Sequence, residues 1–218
     1  MQAGLGTLVI IAMSQFFQVH PDNPQLRLIR SSVEILGQGG VIVYPTDSSY
    51  AIGCLIGDKA AMDRIRKIRQ LTKNHNFTLV CRDLSEISKY AKVDNSAYRI
   101  IRKLAPGPYT FIFKATHGVP KRLQHPKKKT IGIRVPNNPI VDALLNELGE
   151  PIMSSTLILP GEGLPMNDPF EIRERMQHDV DLVIDGGHCG LEATSVIDFL
   201  DDTPHVTRAG CGDVFMFS

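Results

Sequence analysis

The stretch Gly39-Gly40-Val41-Ile42-Val43-Tyr44-Pro45-Thr46-Asp47-Ser48-Ser49-Tyr50-Ala51-Ile52-Gly53-Cys54 decides how this 218-residue chain is read. Val41 to Tyr44 is a short apolar run rich in β-branched residues, entered through two glycines and stopped by Pro45, whose missing N–H cannot extend a ladder. The run predicts a buried strand. Thr46, Asp47, Ser48 and Ser49 then put four small polar side chains where the strand gives way to a loop, a position at which α/β proteins commonly hold ligands. An ordinary polar turn has the same composition.

Working outward, Asn23-Pro24 predicts an N-cap and first-turn proline for a helix with Leu26, Ile29, Val33 and Leu36 at three- and four-residue steps, closed by Gly37. The glycines at 37, 39 and 40 follow a helix and precede a strand. Pyrophosphate binding at a helix N-terminus needs the reverse order, so a dinucleotide fingerprint is excluded. Asp58 predicts the cap of a helix with Ala61, Ile65 and Ile68 inward, and Phe77 to Cys81 reads as a strand. Asp83 and Asp94 cap two short helices, the second ending at Pro106-Gly107-Pro108. Strands over Tyr109 to Lys114 and Thr130 to Val135 enclose a polar, basic loop, Gly118 to Lys129. Asn138-Pro139 starts a helix over Ile140 to Leu148, ended by Gly149. A strand is expected over Ile152 to Leu159, and Asp168 with Glu171 resembles a capping pair for a helix to about Gln177. Leu182 to Asp185, Thr194 to Phe199 and Val206 to Arg208 are short terminal strands. Strands alternating with helices, then a strand-rich tail, predict an α/β fold on a largely continuous mixed sheet.

With 43% hydrophobic residues and no linker-like run, one domain over residues 13–218 is expected, with 1–12 an unstructured extension; Met13 reads equally well as a start. The apolar patch Leu8 to Ala12 is too short to span a bilayer and no Lys or Arg precedes it, so a cytoplasmic protein with no membrane partner is expected. A net charge of +1 excludes a global pull toward nucleic acid. Basic character is local: Arg64, Arg66, Lys67, Arg69 and Lys73 form one cluster, and Lys121, Arg122, His125, Lys127, Lys128 and Lys129 another. The four cysteines are scattered without a Cys-x-x-Cys pair, which argues for buried thiols over zinc or disulfides. No metal site is expected from the residues.

Glycine-rich entry, apolar strand, Tyr-Pro-Thr-acid and then Gly-Cys resembles the signature of the YrdC/YciO family, whose best-known members are threonylcarbamoyl-AMP synthases. Arg69-Gln70-Leu71, Pro106-Gly107-Pro108-Tyr109-Thr110, Ile131 to Pro136 and Arg208-Ala209-Gly210 fit the same family in the same order, and details place the chain nearer its YciO branch. The resemblance implies a twisted mixed sheet with helices around a large concave basic cavity. It also implies a nucleotidyltransferase in tRNA modification that turns ATP, threonine and bicarbonate into threonylcarbamoyl-AMP and pyrophosphate, with magnesium accompanying ATP. Carried onto this chain, Arg69, Thr110, Arg134, Ser154, Thr156 and Arg208 would hold the ATP or AMP, and Thr46, His75 and Ser195 the amino acid. Leu71 and Ile158 depart from the pattern, standing where the synthases carry an arginine and an asparagine, which implies weak synthase activity.

The residues themselves offer no Walker loop, Gly-x-Ser-x-Gly elbow or Ser/His/Asp spacing. Arg134 lies in an otherwise apolar run and needs either an anionic ligand or an internal carboxylate. Three functions fit: a nucleotide-dependent synthase; a double-stranded RNA or tRNA binder, with little catalysis, using Arg64, Arg66, Lys67, Lys121, Arg122, Lys127, Lys128 and Lys129; and a nucleotide or phosphate-ester hydrolase in the same cavity.

Overall fold

Alternation along Thr130-Ile131-Gly132-Ile133-Arg134 sends the two isoleucines to one side of the sheet and Gly132 and Arg134 to the other, and this division organises the molecule. The computed structural model describes residues 13–72, 75–201 and 203–217. The expected extension over 1–12 and Lys73 of the first basic cluster lie outside them. In chain order the elements are β1 (Gln15–Gln18), α1 (Leu26–Gly37), β2 (Ile42–Tyr44), β3 (Ala51–Leu55), α2 (Lys59–Arg69), β4 (Thr78–Val80), α3 (Leu84–Tyr90), α4 (Asn95–Leu104), β5 (Tyr109–Lys114), β6 (Thr130–Arg134), α5 (Pro139–Leu148), β7 (Ile152–Thr156), α6 (Pro169–Met176), β8 (Leu182–Asp185), β9 (Ser195–Asp198) and β10 (His205–Arg208).

The strands form one sheet in the order β1-β8-β2-β3-β7-β4-β6-β5-β9-β10. It is mixed, as expected: β1/β8, β2/β8, β4/β6 and β5/β9 run parallel, the remaining neighbours antiparallel. One face carries Ile52, Leu79, Phe111, Phe113, Ile131, Ile133 and Met153 into a core shared with Ile65 of α2, Ile87 of α3, Ile101 of α4 and Ile172 of α6. Each such side chain contributes about 1.5 to 3 kcal/mol, and cutting Phe111 to alanine costs about 3 to 5. The other face is divided. Around β2 and β8, Ile42, Tyr44, Leu182 and Ile184 pack beneath Ile29 and Leu36 of α1 and Ile140 and Leu144 of α5. Ile152 of β7 and Val80 of β4 join this cluster, and the rest of that face, across β7, β4, β6, β5 and β9, is left open as a cavity.

Asp58, Asp83, Asp94, Asn138 and Asp168 each accept a backbone N–H at the start of α2 to α6, as their positions predict. The expected Asn23 cap fails. His20 Nδ1 already takes the N–H groups of Asp22 and Asn23 at 3.2 and 3.1 Å, so the helix starts after Gln25, whose side chain provides no cap. Glu171 bonds Arg175 at 3.1 Å instead of closing a capping pair. The strand expected to reach Leu159 ends at Thr156, where Ile158 N–H folds back onto the Thr156 carbonyl at 3.1 Å. Two strands have no forecast: β1, and β3, which contains Gly53. That glycine is required by packing, since a Cβ there would sit 2.7 Å from Ile152 Cγ2 and 2.9 Å from the Met153 carbonyl. Of the cysteines, Cys54 and Cys81 are buried, but Cys211 is exposed.

Candidate functional site

The uncovered face holds a cavity of about 550 Å³. Its floor is set by register: Ser154, Thr78, Gly132 and Ile112 stand side by side across β7, β4, β6 and β5. Gly132 keeps the floor open, because a Cβ would meet Thr78 Oγ1 at 2.8 Å and Thr110 Cγ2 at 3.2 Å. Ser154 accepts from the hydroxyl of Tyr44 at 2.7 Å, and burial pushes that phenol up to about 12, so it remains a donor.

Three arginines line the space, each brought by a different device. Arg134 ends β6 and is almost wholly buried; its Nη2 donates to Thr46 Oγ1 at 3.0 Å, Ser48 Oγ at 2.8 Å and the Asp47 carboxylate. The other Asp47 oxygen accepts from Asn137 N–H at 2.8 Å, so the loop after β2 is tied to the segment entering α5. An internal carboxylate thus satisfies the buried cation, while its Nε still has no acceptor. Arg69 lies in the last turn of α2, which ends at Gln70 in the left-handed region with φ 49°. Burial holds Arg69 below the ordinary arginine value, and its Nε too is buried without an acceptor. Arg208 comes from the edge strand. Between Val206 and Arg208, β10 spends two residues against one of β9, a bulge that lets the successive residues Thr207 and Arg208 both reach the cavity. Arg208 donates from Nε to the Thr194 carbonyl at 2.9 Å and from Nη2 to Thr194 Oγ1 at 3.1 Å, and that hydroxyl shares a 2.8 Å hydrogen bond with Thr110. Partial burial holds Arg208 down as well.

His75 completes the wall, its Nε2 lying 3.3 Å from Ser155 Oγ and its ring edge-on to Phe77. Burial first, then the positive charges of Arg69, Arg66 and Arg208, lower its pKa to about 4, so the imidazole is neutral near pH 7. Among the described residues no Asp or Glu lines the cavity, and no group of three or more His, Cys, Asp or Glu is placed to hold a metal ion. The residues therefore do not fit a protein-held magnesium.

All six residues expected on the nucleotide side, Arg69, Thr110, Arg134, Ser154, Thr156 and Arg208, line this one cavity together with His75. Thr46 stands just behind it, bonded to Arg134. Ser195 does not reach it: the side chain is fully buried, donating to the Gly212 carbonyl at 2.6 Å and accepting from Gly210 N–H at 2.9 Å, which pins the turn after β10. Thr72, Asn76, Thr78, Thr194 and Thr207 are lining residues that sequence reasoning missed. Only Thr78 carried a signal, its place in the alternation of β4. Of the two departures from the synthase pattern, Ile158 lines the cavity, whereas Leu71 packs against the main core.

The residues expected to bind RNA lie outside the cavity lining. Arg64 is engaged by Asp181 at 2.8 Å and the Asp179 carbonyl at 2.9 Å. Arg66 covers the Phe77 ring at 5.0 Å and donates to the Arg122 carbonyl at 3.3 Å, which joins the two basic clusters. Lys67, Lys121, Arg122, Lys127, Lys128 and Lys129 are exposed. Among the described residues no helix is long and apolar enough to cross a membrane.

A family model for Sua5, YciO and YrdC proteins, described as "Telomere recombination", matches residues 34–210. The chain is 60% identical to the YciO protein of Escherichia coli strain K12 over 205 residues, 94% of this chain and 100% of that protein. It resembles a crystal structure of E. coli YciO with a TM-score of 0.92 at 59% identity, covering 94% of this chain and 100% of that one. The threonylcarbamoyl-AMP synthase of Hydrogenovibrio crunogenus is 28% identical over 144 residues, 64% of this chain and 77% of that protein. The fold extends to P. abyssi Sua5 in complex with L-threonine, at a TM-score of 0.83 and 20% identity, over 90% of this chain and 58% of that one.

Proposed function

Because the chain belongs to the Sua5/YciO/YrdC family, we propose that its cavity binds ATP or AMP and supports a slow synthesis of threonylcarbamoyl-AMP. The observation that carries this reading is a cavity lined by Arg69, Arg134 and Arg208 and, among the described residues, by no carboxylate. A carbamate oxygen and a phosphate repel each other in water. Fixed guanidinium groups lower that repulsion and the charge that builds on the phosphate oxygens as they react, so positioning and neutralisation supply the catalysis. Arg69 and Arg208, both in the lining, would take phosphate oxygens. Arg134, locked by Asp47, offers a cation that does not have to reorganise. Neutral His75 adds a hydrogen-bonding group without a further positive charge and suits the amino-acid end, where Thr46 lies behind Arg134. Threonine as the co-substrate is supported by its presence with P. abyssi Sua5 and by the synthase relatives. Magnesium, in this reading, arrives on the phosphates of ATP.

Slow synthesis follows from Ile158, a hydrocarbon on the cavity wall where the synthase pattern has an amide. Incubation of the purified protein with ATP, magnesium, threonine and bicarbonate, with products identified by mass spectrometry, tests the proposal. Threonylcarbamoyl-AMP and pyrophosphate are expected in equal amounts; pyrophosphate without the adenylate would show hydrolysis instead, and neither product would remove the synthase reading.

A second role, binding of tRNA or double-stranded RNA through phosphates, is favoured by the Arg66–Arg122 contact, which brings one member of each basic cluster together. Aromatic residues make up only 6% of the chain, which disfavours a base-stacking platform.

A further inference from the structure

The charge inside the cavity can be counted, and the count goes beyond naming a nucleotide, although it rests on the nucleotide reading above. Arg134 is offset by Asp47 in a pair whose side chains are 7% and 10% exposed. For Arg69 and Arg208, no carboxylate lies within ion-pairing distance among the described residues. Arg208 finds only the two oxygens of Thr194, and the buried Nε of Arg69 finds no acceptor. His75 adds no charge near neutral pH, and the described lining contains no acid. Among the described residues, two guanidinium charges lining one cavity are therefore uncompensated, an arrangement that an anion would complete.

We infer that the cavity selects its ligand by total charge and is matched to a dianion, a nucleoside monophosphate or an acyl-adenylate that carries one carboxylate. Near neutral pH a nucleoside monophosphate carries about −2, whereas a metal-free triphosphate carries about −4. The triphosphate exceeds what Arg69 and Arg208 neutralise, and among the described residues the only other arginine of the lining, Arg134, is already paired with Asp47. A divalent cation on its own phosphates brings it back to the matching value. A site that merely gathers positive charge would behave in the opposite way, holding the most highly charged nucleotide most tightly.

Calorimetric titration of the full chain separates these cases, with AMP, ATP, adenosine and inorganic phosphate as probes, each in EDTA and in magnesium. AMP is expected to bind equally in both buffers and adenosine about a hundredfold more weakly, as the loss of charged hydrogen bonds requires. Metal-free ATP is expected to bind at least about tenfold more weakly than AMP, magnesium closing that gap, since one mismatched charge at close range is worth that much even in a partly solvated site. Thr207→Lys, at the exposed rim, adds one cation without touching the core and should raise metal-free ATP binding relative to AMP by about tenfold. Metal-free ATP binding as tightly as AMP in the wild type, or an unchanged ratio in Thr207→Lys, overturns charge selection while leaving nucleotide binding standing. Binding of inorganic phosphate as tight as that of AMP would make the site a phosphate site and overturn the nucleotide part; no heat with any probe would remove both.

Discussion

Arg134 and Asp47 form a buried ion pair that joins the end of β6 to the loop after β2, and the same carboxylate holds Asn137 N–H, so one aspartate fixes both a cavity cation and the entry to α5. Asp47→Ala leaves a guanidinium buried without its countercharge and is expected to cost about 3 to 5 kcal/mol. Pairing it with Arg134→Met should recover much of that loss, since the hydrocarbon needs no partner. Urea unfolding of the two single variants and the double variant measures the coupling. Equal, additive losses would mean that the pair is held by its surroundings and not by mutual attraction.

Arg69→Ala should weaken AMP binding by about ten- to a hundredfold, because a charged contact of this type contributes roughly 1.5 to 3 kcal/mol. Isothermal titration decides it, and an unchanged affinity would take Arg69 out of the ligand's reach. The same substitution removes the second-largest cause of the depressed His75 pKa, so the imidazole should titrate at higher pH, visible in its ring proton resonances.

Stability should rise with pH between about 4 and 6.5 on account of His75. Its folded pKa is about 4, below the ordinary 6.5, so the unfolded chain binds a proton that the folded one refuses, and stability is lost as pH falls through this window. The contribution is at most about 3 kcal/mol. His75→Gln should flatten that part of the profile of thermal unfolding against pH; an unaltered slope would assign the acid sensitivity to other groups.

The two departures from the synthase pattern should behave differently when reversed. Ile158→Asn places an amide on the cavity wall and is expected to raise adenylate synthesis about tenfold or more, a fraction of what one preorganised donor supplies. Leu71→Arg instead pushes a cation against the main core and should destabilise the protein by roughly 2 to 4 kcal/mol with little gain in rate. Rates and melting temperatures measured together separate the two effects. A stable and faster Leu71→Arg enzyme would show that this side chain can swing into the cavity.

Replacing Lys127, Lys128 and Lys129 by alanine should weaken RNA duplex binding uniformly across sequences and reduce the salt dependence by up to about three contacts' worth of slope. Electrophoretic mobility shifts over a range of salt test this, and ATP affinity should not change, because none of the three lines the cavity.

The helices were largely legible because their signals are local: Asp58, Asp94 and Asn138 announce their caps within three residues of the N–H groups they receive. The strands of the cavity floor were legible where hydrophobic alternation was clean, as in β5 and β6. Gly53 hid β3 because its reason for being glycine, the approach of Ile152 and Met153, lies about a hundred residues away in the chain. The site divides in the same way. Resemblance brought seven residues to one cavity, but Thr194 and Thr207 owe their places to a neighbouring strand and a bulge, and no local pattern marks either. The Ser195 hydroxyl looked available in the sequence and is consumed by the turn at Gly210 and Gly212, a commitment visible only once the chain is folded.

The bulge in β10 makes the cavity sensitive to counting as well as to chemistry. Arg208 stands opposite Val196 with Thr207 left over between it and Val206, so deleting Thr207 would restore a plain ladder with Arg208 still opposite Val196. A chain shorter by one residue here would keep its arginine on the cavity and lose only the neighbouring hydroxyl, whereas one that paired Thr207 with Val196 would turn Arg208 to the opposite face and lose half of the uncompensated charge. In this edge strand, spacing is itself a functional group.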